Sequence, residues 1–471
     1  MCRLSLLKSS HLFKEQVLAA SYSIQCVSQI AILGAPLWNA LMAIANMQDQ
    51  NGPANPFCRY EYLHALELSG CVGEQTGWRP MHLVVSEAGQ IGENNQASAQ
   101  GGDRQIDPSK VLAVMPLYLK GHSYGEYVFD WAWAQAYERH GLEYYPKLVN
   151  AIPFTPVTGS RIGFRGDLSE AQKAELIRKI GEHLDLLAKS CSASSWHSLF
   201  LLESERQPLT SQGHLERLGT QFHWFNKGYQ SFDDFLSRLT SRRRKSILKE
   251  RRAITKAGLK FRFIDGAEIT EDELTHFVHC YQRTYYKRSG HQGYLNAAFF
   301  SAVVKNMADK VRLLMVERPQ ASKLEALAGS EAGSEARSEA RSEVGSKAEK
   351  EAESAQEIEP IAAALYFVGN DCLYGRYWGA LEEIEGLHFE TCYYQGIDYA
   401  IAQGLKKFDA GAQGEHKVLR GFEPIPTYSV HEILHSDFRR AIADFIEQEA
   451  QAMKIYMSEL EAILPFKREG D

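Results

Sequence analysis

A chain of 471 residues is too long for one ordinary hydrophobic core, which predicts two domains. Its hydrophobic content of 44% is that of a globular protein, and a formal charge of -7 excludes a surface generally coated with nucleic acid while leaving room for a local basic patch. The eight cysteines (Cys2, Cys26, Cys58, Cys71, Cys191, Cys280, Cys372 and Cys392) form no C-x-x-C pair, so neither a zinc site nor a disulfide framework is expected.

Met1 to Ala20 is apolar only in short pieces, broken by Lys8, Lys14 and Glu15. This fits neither a signal peptide nor a membrane span, so residues 1–19 are expected to be an extension and the protein to be cytoplasmic. Met81 to Val85 reads as a strand, followed by a polar insert at about 89–110. Val111 to Leu119 and Tyr124 to Trp131 read as two more strands, then a helix near Ala132 to His140. A link near Asn226 to Ser231 separates a first domain, 20–227, from a second, 228–435. Ser241 to Gly258 reads as a basic helix. Val311 to Val316, Ile361 to Val368 and Cys372 to Gly379 read as strands, the first two separated by a Ser/Glu/Ala-rich insert at 321–359. That insert has too little apolar surface to offset its ordering entropy and is expected to be disordered or, given its Ala and Glu, a lone fluctuating helix. Leu387 to Gly404 is a helix with Phe389, Tyr393, Ile397 and Ala400 on one stripe, and Lys407 to Ala410 begins a further strand. An amphipathic helix from Ser436 to Leu464 occupies the C-terminal block, 436–471.

The order of elements repeats. YGEY at Tyr124 to Tyr127 recurs as YGRY at Tyr374 to Tyr377, and Tyr144–Tyr145 recurs as Tyr393–Tyr394. Each half carries its polar insert between the same two strands. Together these observations predict a tandem duplication and an α/β (α+β) architecture with mixed sheets.

The element order resembles the GNAT acyltransferase fold. LHFETCYYQGIDYAIAQG from Leu387 and FDAGAQGEHKVLRGFEP from Phe408 resemble the second lobe of Fem-type aminoacyltransferases. NPF at Asn55, PLYLKGHSYGEYVFDWAWAQAYERHGLEYYPKL from Pro116, PFTPVTG from Pro153 and QFHWFNKGYQSFDDFL from Gln221 resemble a bacterial FemAB-like family named for peptidoglycan biosynthesis or recognition. The resemblance implies two tandem GNAT-like domains with mixed, largely antiparallel sheets flanked by helices. It also implies transfer of an acyl or aminoacyl group to an amine, with a peptidoglycan precursor as one acceptor. Acyl-CoA or aminoacyl-tRNA would serve as co-substrate, with no permanently bound cofactor and no metal. The Q/R-x-x-G-x-G/A pyrophosphate loop of standard acetyltransferases is absent, which weakens the CoA reading. A non-catalytic module recognising a cell-wall precursor or an RNA is the alternative.

Such a transfer needs a base for the amine proton and donors for the developing oxyanion. No Gly-x-Ser-x-Gly elbow points to a covalent route. Alternation along a strand would put His122, Tyr124, Glu126 and Asp130 on one face, with Tyr127 beside them. Glu126, Tyr124, Tyr127 and Asp130 are the catalytic candidates and His122 a substrate contact, or all form a buried network. Tyr374, Arg376 and Trp378 share a second face with Tyr377 adjacent, and bind substrate, or Arg376 pairs with Glu126. Asp409, Gly411, Gly414, Glu415, His416, Lys417 and Arg420 form a Gly-rich charged loop suited to an anion. In Fem enzymes the matching region lines the substrate channel, which implies a binding role for Lys417 and Arg420. Arg242, Lys245, Lys249, Arg252 and Lys256 share one helical face, fit for RNA phosphates or simply solvated. His223 is expected to be a core histidine with a satisfied ring, and Tyr285, Tyr286, Lys287 and Arg288, at the end of another amphipathic helix, to face the cleft.

Overall fold

A computed structural model describes residues 22–43, 55–88, 106–319, 358–412 and 414–467. The N-terminal extension, nearly all of the Ser/Glu/Ala-rich insert and most of the polar insert lie outside the described residues. Two compact units divide the chain: 1–220 with 426–457, and 221–425 with 458–471.

The first unit runs through β1 (Tyr22–Val27), α1 (Ala35–Met42), α2 (Tyr60–Leu68), β2 (Trp78–Pro80), β3 (His82–Glu87), β4 (Val111–Met115), β5 (Tyr118–Lys120), α3 (Trp131–Arg139), β6 (Lys147–Asn150), β7 (Gly163–Phe164), α4 (Glu170–Ser190), β8 (Ser195–Leu199) and α5 (Glu203–Thr210) to the start of β9 (Leu215–Phe225). One sheet has the order β1-β3-β4-β7, all antiparallel. The other places β2, β5 and β6 antiparallel, then β6 parallel to β8. A parallel pair requires a crossover, and α4 supplies it. Ser169 and Gln172 close a capping box at its start, and Leu176, Ile177, Ile180, Leu184 and Ala188 recur at helical spacing and are buried against Leu83, Leu112, Leu148 and Trp196.

The second unit contains α6 (Phe232–Ser237), α7 (Ser241–Lys256), β10 (Lys260–Asp265), α8 (Glu271–Ser289), α9 (Ala297–Asn306), β11 (Val311–Pro319), β12 (Ile358–Val368), β13 (Cys372–Ala380), α10 (Leu387–Phe389), a π-helical stretch (Glu390–Tyr394), α11 (Gln395–Ala402), β14 (Lys407–Asp409), a 3-10 helix (Glu415–Arg420) and the start of β15 (Glu423–Ile433). Strands β10 to β13 form an antiparallel ladder. β13 then pairs with β14 in parallel, and His223–Phe225 of β9 pair with β14 antiparallel. The closing helix, α12, spans Ser436–Ala462, and Ser429–Ile433 of β15 pair with β8 in the first unit.

The α/β reading with mixed sheets holds, and most expected elements appear within a few residues of their expected bounds. Four expectations do not. The run Val111 to Leu119 is two strands in two sheets, because Pro116 has no N–H to continue a ladder. Tyr124 to Trp131 is not a strand: Gly125 at φ 81° and Tyr127 at φ 63° are left-handed, which turns the chain over. YGEY therefore lies in a turn whereas YGRY lies in β13, and Tyr144–Tyr145 precede β6 in irregular chain whereas Tyr393–Tyr394 are π-helical. The repeated letters do not mark equivalent positions. The change of unit falls inside β9 and β15 rather than at the link near Asn226, because composition marks turns and not the point where a strand changes neighbours.

Among the described residues no helix is long and apolar enough to cross a membrane. None of their groups of His, Cys, Asp or Glu is placed to hold a metal ion.

α8 packs directly on β13 at Gly379, where an added Cβ would lie 2.0 Å from the carbonyl oxygen of Cys280. A backbone oxygen inside a helix cannot swing aside. Gly379→Ala is expected to cost about 1–3 kcal/mol and lower Tm by roughly 3–10 °C. Gly121→Ala, at a site with nothing within 4 Å, should leave Tm unchanged in the same calorimetric scan.

Candidate active site in the second unit

The parallel ladder between β13 and β14 ends at the Tyr374–Asp409 pair. Beyond it β13 runs on to Ala380 while the chain after Asp409 turns away, and the partner strand β12 carries a register shift between Leu365 and Tyr366. This divergence opens a cavity of about 420 Å3 between Gly375–Trp378 of β13, His388, Cys392 and Tyr393 of the following helix, and the loop that leads to Lys417.

Asp409 is buried where the ladder ends, and burial alone would raise its pKa. The Arg376 guanidinium outweighs this and holds the carboxyl well below the usual range. The contact is bidentate, Nη1 to Oδ1 at 3.1 Å and Nη2 to Oδ2 at 2.6 Å, and the Gly411 N–H donates to Oδ1 at 2.9 Å. His223 is buried as expected, but its Nε2 lies 3.5 Å from Asp409 Oδ2 and makes no hydrogen bond among the described residues. Burial pushes it down to about 4.

Gly411 and Gly414 adopt positive φ, as the glycine-rich loop suggested, and turn the carbonyls of Ala410 and Gly411 inward. Lys417 Nζ donates to both, at 2.9 and 2.6 Å. The side chain is 1% exposed, and burial brings its pKa down to about 8 despite Asp409 nearby. His416 Nε2 is 2.8 Å from the Tyr393 hydroxyl, and burial with Arg420 and Lys417 close by lowers its pKa, so the imidazole is neutral at pH 7. His388 is pushed down to about 4 by burial, with Arg288 adding to the effect.

The loop residues thus divide. Lys417, His416, Arg376 and Tyr377 line the cavity together with Trp378 and Arg288. Tyr374 does not line it; its ring lies 5.2 Å from the Arg376 guanidinium and it is buried. Arg420 does not line it either. Its guanidinium lies 3.5 Å from the Phe389 ring centroid and bonds Tyr394, the His416 carbonyl and Glu250. Glu415 is exposed at the start of the 3-10 helix, outside the lining. Arg242, Lys245, Lys249, Arg252 and Lys256 are all exposed on α7, while Ile247 and Ile254 are buried on its other face.

The sequence matches the family described as FemAB-like, peptidoglycan biosynthesis/recognition, over residues 29–330 and 349–468. The chain belongs to the FemAB-like family. No curated protein matches it in sequence. Among solved structures it is similar to FemX at 13% identity and a TM-score of 0.42, covering 82% of this chain and 94% of that one. A tandem GNAT protein from the clavulanic acid biosynthesis pathway is 9% identical with a TM-score of 0.40, covering 88% and 99%. The C-terminal domain of a putative lysylphosphatidylglycerol synthetase from Agrobacterium fabrum is 8% identical with a TM-score of 0.39, covering 73% and 86%.

In the first unit of this FemAB-like chain the expected catalytic cluster is a buried ionic network, in which Glu126 Oε1 and Asp130 Oδ1 have no hydrogen-bond partner among the described residues. Glu126 is 4% exposed. Its Oε2 accepts from Lys147 Nζ at 2.9 Å and its Oε1 is 3.5 Å from Lys120 Nζ. Lys147 also bonds Asp130 and donates to Ser123 Oγ at 2.9 Å. Tyr144 donates to Asp130 at 2.6 Å and its hydroxyl is 3.3 Å from His197, which meets His431 at 2.6 Å. Tyr124 is 54% exposed, and His122 Nε2 contacts the Thr76 carbonyl at 2.8 Å. Tyr127 packs on the apolar cluster of Val149, Leu199 and Phe200. Glu126 finds its counter-charge in Lys147, and Arg376 finds its own in Asp409. The sequence reading missed Lys120, Lys147, His197 and His431. A lysine inside each of the apolar runs PLYLK and PKLVN was the available signal, since a buried ammonium demands carboxylates.

Two outcomes follow from this network. Lys147→Met would leave Glu126 and Asp130 buried without their main cation, costing about 3–5 kcal/mol in urea unfolding. His197, held at about 3 by burial, and His431, held well below its ordinary value, are neutral in the fold. The unfolded chain takes up protons there below its ordinary pKa of 6.5 and the folded chain does not. Their contribution is whole above that pH and lost as pH falls towards 3, at about 1.4 kcal/mol per pH unit for each histidine. Urea midpoints should fall between pH 7.5 and pH 5, with a shallower slope in His431→Gln.

Proposed function

We propose that this chain transfers an acyl or aminoacyl group to an amine acceptor, with a peptidoglycan precursor as the acceptor class, and that the second-unit cavity holds the reacting carbonyl. The observation that carries the reading is Lys417: an ammonium 1% exposed, brought down to about 8, its N–H groups directed by two carbonyls at the mouth of the split between two parallel strands. Two of its three N–H bonds are spent on Ala410 and Gly411, and the third can donate to an oxyanion forming in the cavity. His416 is neutral and positioned by Tyr393, so it can take the proton of the attacking amine directly or through one water. The carbon–nitrogen bond forms as the bond from the acyl carbon to the donor's ester oxygen or thioester sulfur breaks. Arg376, fixed by Asp409, keeps the loop and lysine in register. The parallel strand–helix–strand unit in each half supports a tandem duplication of GNAT-like units.

The donor reading favours aminoacyl-tRNA over acyl-CoA. The exposed basic face of α7 supports RNA.

Two measurements test this. Unfractionated tRNA should shift the protein in a gel at low salt, and changing Lys245 and Lys249 to Ala should reduce the salt slope by about 1.5–2. Absence of a shift removes the RNA-borne donor. With aminoacylated tRNA or acetyl-CoA and a soluble peptidoglycan precursor, Lys417→Met and His416→Asn should each lower turnover by about two to four powers of ten at unchanged Tm. Binding of both substrates without any turnover by the parent chain would establish a recognition module instead.

A further inference from the structure

We propose that the first unit holds a second ligand cavity, built to receive a primary amine carried on an apolar body, with the Glu205 carboxylate as its recognition group. It holds whichever reaction the second unit carries out.

The position comes from topology. In each unit a helix connects two parallel strands: α4 between β6 and β8, and α10 with α11 between β13 and β14. In layered α/β proteins ligands lie beyond the carboxyl ends of such strands. The second unit has its cavity there, and so does the first, with a volume of about 310 Å3. The parts correspond. Phe164 of β7, the first two turns of α4 and the start of α5 line the first cavity. β13, the start of its crossover helix and the 3-10 helix after β14 line the second. Glu205 is the third residue of α5, and Lys417 is the third residue of that 3-10 helix. Both side chains are buried, at 3% and 1% exposure, and they carry opposite charges.

The chemistry comes from what surrounds Glu205. Its Oε1 accepts two N–H groups, from Arg161 at 2.8 Å and Ile162 at 3.0 Å. Its Oε2 has only the Leu202 N–H, at 3.4 Å, near the limit of a hydrogen bond. The Arg161 guanidinium is close by and keeps its charge, which favours the Glu205 carboxylate, but its N–H groups are bonded to the carbonyls of Val157, Gly159, Ser160 and Leu199 and it makes no contact ion pair with Glu205. The Cys58 thiol is pushed up to about 11 by burial and stays neutral. At the rim, Lys173 is paired with Glu170 at 2.7 Å, and Arg165 with Asp167 at 2.7 Å and Glu87 at 2.9 Å. Among the described residues no salt bridge reaches Glu205, and burial pushes its carboxyl up to about 7. Of the charged side chains that line the cavity, Glu205 is thus the one with no counter-charge at ion-pair distance among the described residues. Leu41, Met42, Ile162 and Ile177 make the rest of the wall apolar. An ammonium supplies the missing counter-charge, and an alkyl chain fills the wall.

The test is titration of the full chain with n-hexylamine, n-hexanol and hexanoate, read by calorimetry. Hexylamine should bind at least about tenfold more tightly than hexanol, with hexanoate weaker still. Its affinity should fall about tenfold per pH unit below pH 7, as Glu205 takes up a proton. Glu205→Gln should remove the preference for the amine. Since that variant also loosens the loop at Arg161, Ala174→Phe, which fills the cavity and leaves the carboxylate in place, should abolish hexylamine binding at unchanged Tm. Lys417→Met should leave it intact. Equal affinity for hexylamine and hexanol, or hexylamine binding that survives Ala174→Phe, would overturn the proposal and leave Glu205 as a tie between α5 and the loop at Arg161.

Discussion

The ion pair between Arg376 and Asp409 is the constraint on which the second unit's cavity depends. Two parallel strands can separate only if something satisfies the groups exposed at the fork. Asp409 stands at that point with 1% exposure, and a buried carboxylate without a partner costs several kcal/mol. A bidentate guanidinium answers one side of it and the Gly411 N–H the other. Once Gly411 is drawn in, the carbonyls of Ala410 and Gly411 face inward and capture Lys417. Position of the loop, orientation of the lysine and shape of the cavity follow from one contact in the floor of the sheet.

Both units bury charge, with different consequences. In the first, Lys147 meets two carboxylates and Lys120 shares one of them while lying 3.4 Å from the Trp78 ring centroid. Those charges answer one another within the cluster. In the second, Lys417 is held by neutral carbonyls, so its charge is oriented without being cancelled. The difference lies in the partner: a carboxylate neutralises an ammonium, whereas a carbonyl directs it. A buried polar cluster is thus a site only where its charges do not close on themselves.

The legible parts of this chain were those governed by local rules. β11 and β12 read as strands because LLMV and IAAALYFV are apolar on both faces, as strands inside a sheet must be. α7 read as a helix because Ile247 and Ile254 lie two turns apart beneath a basic face. The loop from Asp409 to Lys417 stood out because two glycines and several charges crowd into a few residues. The Tyr124 to Asp130 segment misled for an equally local reason. Alternating polar and aromatic letters suit a strand, and they suit a turn that buries Glu126 and Asp130 while exposing Tyr124. Gly125 was the cue for the turn, and its positive φ decided the matter.

By itself the sequence determined the family, the α/β class and the residue types available at each candidate site, because these follow from periodicity, composition and long motifs along the chain. It did not determine which charges face one another. Glu126 with Lys147, Asp409 with Arg376, Arg420 with Glu250 and Glu205 with the N–H of Arg161 are separated by 21, 33, 170 and 44 residues. Whether a carboxylate ends as half of an ion pair or stands alone in a cavity depends on the partner that the sheets bring within about 3 Å of it, where desolvation makes each contact decisive. That choice belongs to the tertiary structure alone.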